Sequence, residues 1–200
     1  MANMKNDQST VTYLDLKSKY TNVIAKEMMT SNEFSNVMEV PALRKIVISM
    51  GVKEAVKDKN AIPEHAEELS RISGQRPVVT KSKKAISNFK LREDQPIGLM
   101  VTLRGKRMYD FFDRFCNITA PRIHDFRGYN RKSCDGQGNY NFGITDQSIF
   151  LEVNVDKIKR VQGMNVTIVT SAKDDETCVE LLTRLGFPFE AIKIQEKTTA

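Results

Sequence analysis

Residues 97–105 read IGLMVTLRG, and their alternation decides the fold. Successive side chains of an extended chain point to opposite sides, so Ile97, Leu99, Val101 and Leu103 share one face while Gly98, Met100, Thr102 and Arg104 share the other. A strand with one apolar face and one face carrying threonine and arginine belongs to a sheet that is covered on one side and open to a partner on the other. Residues 44–52 (RKIVISMGV) repeat the pattern, with Ile46, Ile48 and Met50 opposed to Val47 and Ser49. Pro77-Val78-Val79-Thr80, residues 148–155 (SIFLEVNV) and residues 164–170 (MNVTIVT) are further strand candidates. Thr167 is again a polar residue on an otherwise apolar strand.

Helical periodicity supplies the cover for such a sheet. After Gly105, Met108, Phe111, Phe112, Phe115 and Ile118 form the strongest apolar stripe in the chain. Leu16, Tyr20, Val23, Ile24 and Met28 mark an earlier helix that should end near Asn32. Ile62, Ala66, Leu69 and Ile72 mark one over residues 60–73, stopped by Gly74, with His65 facing solvent among Glu64, Glu67 and Glu68. A last helix over residues 174–185, capped by Asp174 or Asp175, turns Cys178, Leu181, Leu182 and Leu185 inward.

Between the second helix and the 97–105 strand, residues 71–92 (RISGQRPVVTKSKKAISNFKLR) hold seven bases and no acid. Unpaired charge is costly to bury, so Lys81, Lys83, Lys84, Lys90 and Arg92 must face water or an anion. Two readings stand: a solvated charge run, or a basic ribbon pinned to the scaffold by Ile86 and Phe89 that grips a polyanion. A second irregular stretch, residues 121–147, has four glycines, the bases Arg122, Arg127, Arg131 and Lys132, and the aromatics Phe126, Tyr129, Tyr140 and Phe142. A loop of that length suits RNA or a protein partner, or is an ordered surface loop tucked down by its own rings.

The totals agree with a nucleic-acid partner. The chain of 200 residues has a formal net charge of +6, but residues 71–132 hold 15 bases against 5 acids while the remainder is net acidic. No apolar run is long enough to span a membrane, and three cysteines at no metal-ligand spacing read as free thiols in a reducing compartment, which places the protein in the cytosol. Cys116, His124 and Asp125 could be drawn as nucleophile, base and orienter, yet Cys116 sits on the inner side of the Phe-rich helix, where a thiol is inert. Residues 135–139 (DGQGN) lack the oxygen ligands and closing glutamate of a calcium loop. Neither an enzyme nor a cofactor or metal site is expected.

Taken together, RKIVISMGV, ISGQRPVVTKSKKAISNFKLR, PIGLMVTLRGKRMYDFFDR, PRIHDFRGYNRKSCDGQGNYNFGITDQSIF and LGFPF resemble the successive blocks of bacterial large-subunit ribosomal protein five, the 5S rRNA-binding ribosomal protein family. The resemblance runs from about Tyr13 to Phe189, leaving a flexible leader over residues 1–12 and a flexible tail over residues 190–200. It implies a single α+β domain, an antiparallel sheet with helices packed on one side and a long basic, glycine-rich loop. It also implies a ribosome-bound protein of the central protuberance, in contact with 5S rRNA, large-subunit rRNA and other large-subunit proteins, peptidyl-site tRNA and small-subunit protein thirteen. Carried onto this sequence, the 5S rRNA contacts are Gln75, with Arg76 beside it, and Thr102, with Arg104 on the same strand face. Ser49 stands where relatives commonly have asparagine, which removes an amide able to make paired hydrogen bonds. Lys81, Lys83, Lys84, Lys90 and Arg92 are expected to meet phosphates, those of tRNA included, and Arg122, Arg127, Arg131, Lys132 and Tyr140 to form the intersubunit bridge. An interaction module whose ribbon binds an acidic protein is the reading from another class.

Overall fold

A computed structural model describes residues 15–31, 34–58 and 60–190. The expected leader, the end of the first helix at Asn32 and the tail beyond Glu190 lie outside the described residues. Strands β1 (Leu43–Gly51), β2 (Val78–Lys81), β3 (Pro96–Leu103), β4 (Asn139–Ile144) and β5 (Met164–Thr170) form one antiparallel sheet in the order β2-β3-β1-β5-β4. Helix α1 (Leu16–Lys19) passes through a π-helical turn, Tyr20–Ile24, into α2 (Ala25–Ser31). It is followed in the chain by α3 (Ala61–Ser73), α4 (Gly105–Arg114) and α5 (Asp175–Arg184).

All the helices' apolar stripes meet one face of the sheet. Ile46, Ile48, Met50, Leu99, Val101, Leu103, Val166 and Ile168 are buried in a single core with Phe111 and Phe112 of α4, Leu69 and Ile72 of α3, and Leu181 and Leu182 of α5. Each such side chain contributes roughly 1.5–3 kcal/mol on leaving water, so the covered face is fixed by its sequence pattern. A one-residue slip would turn all of it outward. The fold is the expected α+β domain with helices on one side.

The departures from expectation have local causes. Residues 148–155 are not a strand: 3-10 turns at Gln147–Ile149 and Val155–Lys157 bracket them, and the burial of Gln147, Phe150 and Val153 follows a period of three. The fifth strand is β4, inside the stretch read as loop, where Tyr140, Phe142 and Ile144 alternate inward against Asn139, Asn141 and Gly143. Its asparagines and glycine are residues depleted in strands, and they hide the alternation. Val23 and Ile118 are exposed because each lies in a π-helical turn, Tyr20–Ile24 and Phe115–Thr119, whose extra residue moves the stripe to Ile24 and to Thr119 and Ala120. His65 is buried, not solvent-facing, with Nδ1 2.9 Å from Glu68 Oε2. Asp174 and Asp175 make no side-chain cap on α5; the Asp175 carboxylate accepts from the backbone N–H groups of Gly136 and Gly138 at 3.1 and 3.0 Å.

Candidate nucleic-acid interface

Register places the polar residues of four strands in rows on the uncovered face. Thr102 lies opposite Val47, Val47 opposite Thr167, and Thr167 opposite Asn141. The next row runs Val78, Met100, Ser49, Asn165 and Gly143. Gly98, which has no side chain to display, is the one buried position in these and the adjoining Thr80–Gly98–Gly51 row. Ser49, Gly51, Gly143, Gln162 and Asn165 line a shallow groove of about 490 Å³ at one end of this face. The face is therefore a shelf of hydroxyls and amides interrupted by Val47, Val78 and Met100.

The expected contacts Gln75, Thr102 and Arg104 converge at the other end of β3. Gly74 stops α3 in the left-handed region at φ 66°, and the chain turns so that Gln75 Nε2 donates to the Thr102 carbonyl at 3.5 Å. Ser73 Oγ, 2.7 Å from the Leu69 carbonyl and 2.9 Å from the Gln75 backbone carbonyl, holds the turn. Arg104 continues β3 in extended geometry, φ −140° and ψ 160°, exposed on the Thr102 face. Lys45, one step before Ile46 in the β1–β3 register, falls beside it. Arg76 is at the edge of this cluster, exposed between α3 and β2 in a groove shared with Arg71 and Glu67. Sequence reading misses Lys45, Asn141 and Asn165. Alternation along β5 is the signal that finds Asn165, whereas Asn141 is hidden in the stretch read as loop.

The ribbon joining β2 to β3 leaves the sheet at the opposite end. Lys81, Lys83, Lys84, Lys90 and Arg92 are all exposed. Lys81 is held by Asp94 at 3.0 Å; among the described residues the other four have no carboxylate partner. Ile86 and Phe89 do not anchor the ribbon, because they are 43% and 71% exposed. Its anchor is Ser82, which is buried, donates through Oγ to the Arg92 carbonyl and accepts from the Gln95 N–H. A polar pin on the outgoing arm that satisfies two backbone groups of the returning arm orders the ribbon without a core of its own.

The glycine-rich stretch lies diagonally across, at the β4 edge. Phe126, Tyr129 and Phe142 pack with Phe115, Phe187 and Phe189, with Tyr129 and Phe142 centroids 4.8 Å apart. Gly128, at φ 99°, lets the chain lie against Phe189 and Glu190, where a Cβ would sit 2.5 Å from the Glu190 nitrogen. Tyr140 is fully buried, and its hydroxyl donates to the Asn130 carbonyl at 2.6 Å, so the core claims it and it is removed from the expected bridge surface. Arg131 is half-buried over the Phe189 ring at 5.4 Å, leaving Arg122, Arg127 and Lys132 as the exposed bases. Asp135, read as a poor calcium ligand, has its carboxylate occupied by the Gln137 and Asn139 N–H groups and the Asn139 side chain. Those hydrogen bonds, the Asn139 side chain first, hold its pKa below the usual carboxylate value. Among the described residues no cluster of His, Cys, Asp and Glu could hold a metal.

Neither buried thiol is prepared for chemistry. Burial pushes the Cys116 thiol up and the Cys178 thiol up to about 12, which keeps both protonated, and His124 and Asp125 lie on an exposed turn. Residues 36–92 match the family described as Ribosomal protein L5, and residues 96–189 match the C-terminal region of the same ribosomal family. The chain belongs to the ribosomal protein L5 family. The large ribosomal subunit protein uL5 of Protochlamydia amoebophila (strain UWE25) is 58% identical over 179 residues, covering 90% of this chain and 96% of that protein. The uL5 proteins of Chlamydia felis and Chlamydia caviae are each 55% identical over 175 residues, covering 88% of this chain and 97% of theirs. As a family member the chain is a ribosomal protein of the large subunit and not an enzyme. No helix among the described residues is long and apolar enough to cross a membrane.

Proposed function

We propose that the chain binds 5S rRNA on the uncovered sheet face and attaches it within the central protuberance of the large subunit. The observation that carries this reading is the one-sided cover of the sheet: apolar residues fill the helical side, while Thr102, Thr167, Ser49, Asn165 and Asn141 stand in rows on the other. Hydroxyls and amides on a rigid pleated surface hydrogen-bond to 2′-hydroxyls and base edges, and Gln75, Arg104, Arg76 and Lys45 at its end supply an amide and cations for the flanking backbone. The ribbon, whose Lys83, Lys84, Lys90 and Arg92 have no carboxylate partner among the described residues, reaches a second polyanion, peptidyl-site tRNA. At the diagonal corner Arg122, Arg127 and Lys132 form the surface that meets small-subunit protein thirteen. The work is binding and positioning, without bond chemistry.

A gel-shift titration with 5S rRNA and a size-matched unrelated RNA, at two salt concentrations, tests the central step. The expected result is tighter binding of 5S rRNA at both salts, with the unrelated RNA losing affinity more steeply as salt rises. Equal affinity for the two RNAs would leave only charge attraction and overturn the reading.

A further inference from the structure

We infer that the tip of the β2–β3 ribbon is a base-stacking site, in which Phe89 and the groove beside it receive one unstacked nucleobase of a bound RNA. This rests on the proposal that the ribbon binds RNA, and it adds a base contact where that proposal has phosphates alone. Phe89 is the one exposed aromatic side chain among the described residues, at 71% exposure, and it belongs to no core cluster. It is displayed by a built turn. Ile86 and Leu91 exchange backbone hydrogen bonds of 3.0 and 3.1 Å, Ser87–Phe89 make a 3-10 turn, and Lys90 closes it at φ 53°. A non-glycine residue in the left-handed region is uncommon, and strained turns concentrate where a ligand is met.

The groove beside the ring, about 930 Å³, runs between the ribbon tip and the 3-10 turn Lys53–Val56. Val52, Val56, Leu91 and Ile97 supply apolar walls for the face of a flat ring. Lys53, Lys57 and Lys90 are exposed along it without carboxylate partners among the described residues. The acids of the far wall, Glu54 and Asp58, are both paired with Arg160, and with Lys53, Lys57 and Lys90 the groove keeps an excess of positive charge. An apolar slot ringed by free lysines complements a base flanked by phosphates better than it does an apolar or basic peptide. The base must be unstacked, because a base within a duplex shows only its edge, whereas stacking on an aromatic ring needs a face.

The chain contains no tryptophan, so Phe89→Trp introduces a single reporter. The full chain is titrated with an RNA hairpin carrying an unpaired loop and with a blunt duplex of equal charge. Binding is followed by anisotropy of the labelled RNA and stacking by tryptophan emission. The hairpin is expected to quench the emission and the duplex to leave it unchanged. Phe89→Ala is expected to weaken hairpin binding about tenfold, within the range for loss of one stacked base, without altering its salt slope or the binding of duplex. Bound hairpin with unquenched emission, or an equal loss for hairpin and duplex in Phe89→Ala, would overturn the inference while leaving the ribbon an RNA-binding element. If neither RNA binds the unmutated chain, the ribbon proposal itself fails and the groove belongs to a protein partner.

Discussion

Two connections in this protein are alike in composition and opposite in fate. The β2–β3 ribbon and the stretch leading into β4 both mix bases with aromatic rings, and they leave the sheet at diagonally opposite corners. In the ribbon Phe89 stands in solvent and the order comes from Ser82 on one arm bonding to Arg92 and Gln95 on the other. Before and within β4 the rings of Phe126, Tyr129, Tyr140 and Phe142 are gathered onto Phe115, Phe187 and Phe189, and the loop becomes part of the core. The difference lies in what waits at the far end of each ring. Three phenylalanines, one from the π-helical turn after α4 and two from the segment after α5, meet the second connection, whereas nothing apolar from another element among the described residues encloses Phe89. An aromatic residue in a basic loop is thus an anchor or a probe according to partners distant in sequence.

The sharpest way to break this comparison is to remove one ring from each side. Tyr140→Ala empties a fully buried site and leaves the Asn130 carbonyl without its 2.6 Å donor, so a loss of roughly 3–5 kcal/mol is expected. For a domain of this size that is a fall in Tm of roughly 6–20 °C. Phe89→Ala should stay within about 0.5 kcal/mol of the unmutated protein, as exposed substitutions do. Paired thermal and urea unfolding measures both; comparable losses would mean that the two connections are not different in kind.

Smaller effects separate charge from recognition. Lys83→Ala with Lys84→Ala removes two phosphate partners and should flatten the salt dependence of RNA binding by roughly 1.5 in the log–log slope, with little change in Tm. Gln75→Ala, at the junction of α3 and β3, should weaken 5S rRNA binding by ~1–3 kcal/mol and leave the slope nearly unchanged. Filter binding across a salt series distinguishes them. If both variants shift the slope equally, or both lower Tm, then Gln75 is one more structural or electrostatic group and the open face has lost its reader.

Much of this arrangement is legible in the chain itself, and the reasons for the exceptions are physical. Three strands and the helical stripes declare themselves by alternation or three-and-four spacing, because each has one face that must leave water, while β2 shows only as a short run of strand-forming residues. Thr102, Thr167 and Ser49 mark the open face for the same reason: a polar residue at regular intervals on an apolar strand has nowhere inside to go. What stays hidden depends on tertiary partners. Residues Asn139–Ile144 carry poor strand formers and pair only because β5 offers its free edge. Periodicity alone does not reveal a π-helical turn, so it puts Val23 and Ile118 on the wrong side. His65, in an acidic helix, is buried with its ring Nδ1 2.9 Å from a Glu68 carboxylate oxygen, a partner within the same helix. Tyr140 reads as a contact residue because a ring among glycines carries no sign of the core that closes over it.

The finest test of the comparison concerns pH. In the ribbon Lys81 and Asp94 make an exposed ion pair, whereas in the other connection Asp135 organises its own turn by accepting from the backbone N–H groups of Gln137 and Asn139 at 2.9 and 3.1 Å. The carboxylate form is favoured by these bonds and by the Asn139 side chain, so its pKa in the folded protein lies below the usual 3.8. A group depressed in this way adds stability above its unfolded pKa and loses it as pH falls through the folded value. Asp135→Asn keeps the shape and one acceptor but not the charge. Because Asp135 is exposed, the cost at pH 7 should not exceed about 0.5 kcal/mol. The distinguishing feature is its pH dependence: the difference in Tm between the two proteins should be constant near neutrality and shrink toward zero below pH 3.8, as the unmutated carboxyl takes up its proton. A difference that persists undiminished in acid would mean that the turn is held by shape rather than by charge, and that its order, like the Ser82 pin of the ribbon, comes from neutral hydrogen bonds.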